Sequence, residues 1–436
     1  MGMPDNTTEQ MYEFLFEDDE GRSCESIPDA ACTNVPANAI RNMASGAFSK
    51  LAEQLAHPGL TIPWLLSSLG VPAAISALPL PLKDAGSLAP QLFLAQLVRS
   101  RPRRNRIWAA VAVVQAAILL VMAGALLLLP AVAGGVATAA LFLVFGIASG
   151  VASLSFKDTV GKTIPRPRRG TLLGLRASIG GGVALLAGAL FGLLGTDGAP
   201  VEALLILLVA AAACWLASGF LFFRINEEAG STSGGTNPFD SVREAIALFR
   251  EHDNMRRFVA ARSLDLSLTL IQPLYVIIIA DRLGFSFSGI GTLLVASAGA
   301  QLVSGYVWGR LTDRSARRVL VIAPFLGVAV GVLFFLMPVL GGVAAGTVAH
   351  GVVLFLHNIA YAGARVGRKT YLVNAASNEN RAVFAAGANT AIGAVTLAMS
   401  ALVSAVTGIA GTVSSAVMLL AMLSGGALLA LRLREV

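Results

Sequence analysis

Charge is what this sequence has least of. Only 13% of its 436 residues are Asp, Glu, Lys or Arg, against about 25% in soluble domains. A chain this long with so little charge cannot cover itself with polar surface in water. Cysteine is scarce as well. Cys24, Cys32 and Cys214 form no CxxC pair, which excludes the common zinc and dithiol frameworks, and they read as three unpaired thiols. No P-loop lysine pattern, no H-E-x-x-H and no G-x-S-x-G occurs, so nothing points to an enzyme, a metal or a cofactor. The start of the chain offers no basic region followed by an apolar run. Glu13, Glu17, Asp18, Asp19 and Glu20 stand there instead, so a cleavable signal peptide is not expected.

What the sequence has is apolar length. It is 56% hydrophobic with 45 glycines, and its mean hydropathy is +0.73. About 20 apolar residues cross a bilayer as a helix. Such runs fall near 60–80, 82–98, 107–130, 134–156, 172–194 and 202–223, then near 258–280, 288–308, 319–340, 344–364, 383–408 and 412–431. The second is short and carries Gln91 and Gln96. Small residues let helices pack closely in lipid, and Gly180-Gly181-Gly182 reads that way.

Basic residues gather in every second connection. Near the opposite connections only Lys83 and Arg282 occur. The positive-inside rule therefore places both termini in the cytoplasm of a multi-pass cell-membrane protein. It also accounts for the net charge of +7 with no nucleic-acid partner. The expected organisation is a cytoplasmic tail over 1–44, a six-helix bundle over 45–223, a cytoplasmic linker over 224–257 and a second six-helix bundle over 258–436. The linker contains Gly230 to Gly235 and a short amphipathic pattern through Val242, Ile246, Leu248 and Phe249. The acidic tail, with Phe14, Leu15 and Phe16, reads as disordered or as a short amphipathic helix lying on the bundle. The fourth-to-fifth connections of the two halves resemble each other, Lys162 to Gly174 against Lys369 to Gly387, as a parallel internal repeat requires.

Between the eighth and ninth runs lies Gly309-Arg310-Leu311-Thr312-Asp313-Arg314-Ser315-Ala316-Arg317-Arg318. It resembles the G-x-L-x-D-R-x-x-R-R loop of the major facilitator superfamily, and the likeness extends over about Ala44 to Arg434. The resemblance implies an all-α polytopic membrane protein with twelve transmembrane helices in two pseudo-symmetric six-helix bundles. It also implies a cytoplasmic gate using Gly309, Asp313, Arg314 and Arg318. Gly309 would permit close helix approach, and Asp313 would accept from arginine or cap a helix. Arg317 and Arg318 by themselves need no more than positive-inside statistics. The matching first-half loop, Arg99 to Arg106, keeps the basic residues but lacks the glycine and the aspartate.

Charged groups in mid-bilayer cost about 2.5–3.5 kcal/mol each on insertion scales, so each needs a reason. Arg262, Asp265, Thr269 and Gln272 share one face of the seventh span. Asp265 reads either as a proton-exchanging group or as half of a fixed ion pair with Arg262. It is expected roughly 10 Å in from the cytoplasmic end. In the tenth span His350, His357 and Tyr361 share a face, with Asn358 beside them. His357, with Asn358, reads either as a group that relays protons or bonds a ligand or as a helix-to-helix hydrogen bonder, and His350 reads as the latter. Gln91 and Asn389 either join helices or line a cavity. Pro63, Pro72 and Pro273 are expected to kink equivalent spans.

Proton-coupling candidates are thus Asp265 and His357. Cavity candidates are Arg262, Gln272, Asn358, Tyr361, Gln91 and Asn389. Together these lead to an expected monomeric secondary transporter of a small organic solute, driven by protons through alternating access. Export is placed ahead of uptake, and a highly charged solute is not expected, because few charges line the expected cavity. The alternatives are an uncoupled facilitator, or a scaffold or receptor that keeps the fold without transporting.

Overall fold

The computed structural model of this chain describes residues 6–16, 24, 27, 29–193, 201–230, 243, 247, 253–342, 346–375 and 381–435. Among the described residues there is no strand. A short α1 (Asn6–Phe16) and a one-turn α2 (Asp29–Cys32) come first. The first half follows as α3 (Val35–Leu55), α4 (Thr61–Ser68), α5 (Ala73–Ser76), α6 (Pro79–Leu88) and α7 (Gln91–Arg99). It is completed by α8 (Arg104–Leu128), α9 (Ala131–Thr163), α10 (Arg169–Leu193) and α11 (Val201–Phe223). The second half holds α12 (Asp253–Leu283), α13 (Phe287–Arg314), α14 (Ala316–Leu340), α15 (Thr347–Ala375) and α16 (Arg381–Ala430).

Eight helices among the described residues are long and apolar enough to cross a membrane. Twelve crossings result if α3 and α4 form one broken span, α5 to α7 form another, α13 is added, and α16 is divided at Gly411. That glycine has φ 87°, a conformation side-chain-bearing residues avoid. Outer helices show lipid-compatible surface, with Leu128, Val339 and Ile409 more than four-fifths exposed. Helix α12 differs. Its most apolar window is 89% buried, because it runs through the middle of the molecule.

The first two spans are not where hydropathy put them. The expected span 60–80 is replaced by α3 and α4, which begin at Val35 and turn at Leu69–Pro72. Helix α3 packs against α10 and α11, so residues 35–44 belong to the bundle and not to a free tail. The second span runs through α5, α6 and α7 against α9 and α16. Lys83, expected at an outer connection, therefore lies inside α6. The physical reason is composition. Helix α3 carries Asn38, Asn42, Ser45 and Ser49, all buried, and their polarity hides it from a hydropathy window. Several of them bond to neighbouring segments: Ser45 Oγ donates to Ser218 O at 3.0 Å, and Asn38 Nδ2 donates to Asn226 O at 3.1 Å. The break falls at Ala56–Leu60, which contains Pro58 and Gly59, while Pro63 sits within α4 and Pro72 caps α5.

One further expectation changes, and one reading of the tail is met. Cys24 and Cys32 are joined by a disulfide and Cys214 is free. Their Cα atoms lie 5.7 Å apart, within bridging range. The acidic tail forms α1, whose Tyr12 and Phe16 are buried against Val35, Val160 and Leu172 while Phe14 points outward. Arg168 Nη1 donates to Phe16 O at 2.6 Å and fastens that helix to the bundle. Glu17 to Glu20, the linker residues 231–242 and the hydrophobic positions of the expected linker helix lie outside the described residues.

Candidate functional site

Three helical stripes converge between the halves. On α12, Arg262, Asp265 and Thr269 follow one another at helical spacing. On α15, Tyr361, Arg365, Arg368 and Lys369 do the same. On α6 and α7, Lys83, Ser87 and Gln91 supply the third stripe from the other half. Together they enclose a cavity of about 570 Å³, to which Asn389 of α16 also contributes. Lys157 and Leu372 line it near the ends of α9 and α15, so it extends toward the basic face.

A smaller chamber of about 130 Å³ adjoins it and shares Lys83, Asp84, Tyr361 and Arg365. Helix α3 and its break add Lys50, Glu53 and His57, which lie on one face, and the opposite wall holds Gln272 and Asn358. Lys50 Nζ pairs with Glu53 Oε2 at 2.6 Å. Gly180 makes room for that lysine, since a Cβ there would lie 2.6 Å from Lys50 Cγ. Gly59 N donates to His57 Nδ1 at 3.1 Å, so a neutral ring carries its proton on Nε2. Arg176 braces the same helix, donating to Asn42 O at 2.6 Å and Ser49 Oγ at 3.2 Å.

The cavity candidates Gln91, Arg262, Gln272, Asn358, Tyr361 and Asn389 all line one chamber or the other. Asp265 lines the larger, about 18 Å from the start of α12 at 1.5 Å per residue. The helix begins at Asp253, five residues before the expected span. The fixed ion pair with Arg262 is absent: among the described residues no ion pair within 4 Å involves either group. Asp265 Oδ1 and Arg262 Nε have no hydrogen-bond partner there. His357 lies elsewhere. It is fully buried, edge-on to Tyr275 at 5.4 Å between ring centres, and lines neither chamber. His350 Nδ1 is 2.9 Å from Gly346 O, a contact with the residue just before its own helix.

Sequence reasoning missed Lys50, Glu53, His57, Lys83, Asp84, Arg365 and Arg368 as cavity residues. The expectation of few cavity charges is thereby overturned. Misplacing the first span removed α3 from view, and the arginines of α15 were assigned to a surface connection. The usable signal was the i, i+3, i+7 spacing of Lys50, Glu53 and His57.

The two halves meet tightly at the face opposite the basic one. Ser404 Oγ donates to Ala74 O at 3.0 Å. Trp64 stands edge-on to Phe285 at 5.7 Å, and a Cβ on Gly188 would come within 2.9 Å of Val295 N. At the basic face the described clamps lie within each half. In the first half, Arg104 Nε is 2.9 Å from Asp158, and Lys162 Nζ is 3.0 Å from Glu227. Glu227 also accepts from Asn105 N at 2.6 Å. These carboxylates lie across space from the loop that lacks its own aspartate. In the second half, Ser315 caps α14 by accepting from Arg318 N at 3.1 Å, and its hydroxyl donates to Glu435. Arg317 donates to Leu431 O at 2.6 Å, a specific anchor beyond positive-inside statistics. Gly309 does not serve close approach, because a Cβ there would meet open space, whereas a Cβ on Gly363 would lie 2.5 Å from the Trp308 ring. Arg314 is exposed, and the Asp313 side chain lies outside the described residues.

No family model matches the chain, and no curated protein matches it. Solved structures do. The D323A mutant of the nucleoside transporter NupG superposes with TM-score 0.69 at 14% identity, covering 90% of this chain and 99% of that one. A D-xylose-proton symporter gives TM-score 0.64 at 15% identity, with 91% and 97% covered. The xylose transporter XylE from E. coli, in an inward open conformation, gives 0.59 at 15%, with 92% and 95% covered. The chain is a multi-pass helical membrane protein with the fold of the major facilitator superfamily transporters.

Proposed function

We propose that the chain is a secondary transporter that moves a small organic solute by rocking its two halves around the central cavity. The observation that carries this reading is the cavity itself. Residues from both halves line it, it extends to one face, and direct inter-half contacts close the other. Such an arrangement is useful if the closed face can open in turn. Basic loops mark the cytoplasmic side of a cell membrane, so the conformation described is inward-facing, with both termini in the cytoplasm.

We further propose proton coupling through cavity groups. Asp265 is buried, lines the cavity and lacks a fixed partner. Glu53 and His57 line the adjoining chamber. A proton reaching Glu53 would release Lys50 from its pair. The similarity to a D-xylose-proton symporter is in keeping with this reading. The expected preference for export rested on a cavity with few charges and loses that basis.

The test is solute-induced pH change in proteoliposomes, run with a broad panel of anionic, neutral and cationic solutes. Coupled transport predicts proton movement with at least one solute, and its loss in Asp265→Asn while solute still exchanges. Solute movement with no proton movement in the wild type would identify an uncoupled facilitator. No movement of any solute would leave the fold without its proposed activity.

A further inference from the structure

The larger chamber holds six basic side chains, Lys83, Lys157, Arg262, Arg365, Arg368 and Lys369, against two acidic ones, Asp84 and Asp265. Among the described residues none of these eight forms an ion pair within 4 Å. Arg262 is only 5% exposed and its Nε has no hydrogen-bond partner there. Lys83 and Arg368 are half-buried, and Lys157, Arg365 and Lys369 are exposed at the cavity wall. A buried guanidinium with no anionic partner is costly unless something offsets it. Positive-inside statistics do not explain Arg262 and Lys83, which lie within α12 and α6 away from the basic connections.

We propose that the solute is a small organic anion, bound through a carboxylate or phosphate group by Arg262, Arg368 and Lys83. The inference rests on the transport reading above. Guanidinium groups present paired donors that match the oxygens of carboxylate and phosphate, and lysine adds a mobile point charge. The volume suits an acid of metabolite size. The geometry also ties binding to movement. Lys83 belongs to the first half, and Arg262 and Arg368 to the second. An anion between them cancels their mutual repulsion and draws the halves together. Only a ligand with such differential contacts shifts the equilibrium between open and closed states. Tyr361 and Asn389, on the same walls, are placed to bond an uncharged portion of the solute.

The experiment uses the full chain, purified in detergent at low salt. Its thermal midpoint is measured with succinate, citrate, glucose 6-phosphate, xylose and tetraphenylphosphonium in turn, followed by counterflow of each compound in proteoliposomes. At least one of the three anions is expected to raise the midpoint in a saturable way, with xylose and tetraphenylphosphonium inert. The carboxylates and the phosphate separate the two acid chemistries. Arg368→Gln should weaken the effective anion about tenfold or more, Arg368→Lys should restore part of the affinity, and Arg106→Gln, exposed and outside the cavity, should not matter. Because the conservative variant keeps the charge, loss in the glutamine variant alone is not a folding failure. A midpoint unmoved by every anion, or one raised by xylose or the cation instead, overturns the anion assignment. Xylose or the cation moving in counterflow would do so while leaving transport intact. Anion binding without counterflow of any compound would instead overturn the transport reading.

Discussion

Glu227 shows how a function invisible in sequence is carried by one side chain. It lies in the described start of the connection between the halves, far along the chain from the loop it serves. Its carboxylate is fully buried, pairs with Lys162 and accepts from Asn105 N. No motif would have drawn attention to it. Removing its charge leaves those donors without their anionic partner, at about 1–3 kcal/mol. Glu227→Gln is therefore expected to lower the thermal midpoint of the purified protein and, in vesicles, to expose Asn105→Cys to thiol reagents. Asp265 makes the opposite case. Its placement one turn from Arg262 was readable from the sequence, and it lies among cavity residues. What could not be read was the missing pair, because a spacing of three residues permits a contact without enforcing it.

Elements were legible in proportion to how apolar they are. Helices α8 to α11 and α14 to α16 announce themselves because lipid selects continuous apolar surface. Helix α3 does not, because its polar groups are spent on neighbouring helices and the cavity. The break between α3 and α4 was foreseen as proline kinking, but at the wrong proline. Close approach of helices was foreseen at Gly309 and at Gly180–Gly182; the structure uses Gly181 as read, with Gly188 and Gly363, while Gly309 has open space. A Cβ on Gly181 would sit 2.6 Å from Leu302 Cδ2. Gly188 lies where α10 of one half meets α13 of the other, against backbone, which cannot yield as a flexible side chain can. Gly188→Val should cost about 1–3 kcal/mol through overpacking of the closed face. The protein should remain helical by circular dichroism while its thermal midpoint falls. The pair Ala74→Cys with Ser404→Cys should do the reverse. Once crosslinked, it should hold that face shut and stop solute exchange, with activity returning on reduction.

At the scale of the molecule, the alternation of basic connections and the loop at Gly309–Arg318 were sufficient to suggest the architecture. They could not suggest the interior. A cavity forms from residues distant in sequence, and its charge depends on which stripe each helix turns inward. Lys83 illustrates this: counted as an outer-face residue, it lies instead within the chamber wall. The central claim is that one cavity is reached from the basic face while the opposite face closes, and that the two exchange. The measurement closest to it is modification of Ser87→Cys, a cavity-lining position, by a membrane-impermeant thiol reagent applied separately to each side of oriented vesicles, with the native cysteines replaced. The account predicts reaction from the basic-loop side with and without the crosslink, and reaction from the opposite side that disappears when Ala74→Cys and Ser404→Cys are crosslinked. Reaction from the opposite side that survives the crosslink, or none from the basic-loop side, would contradict it.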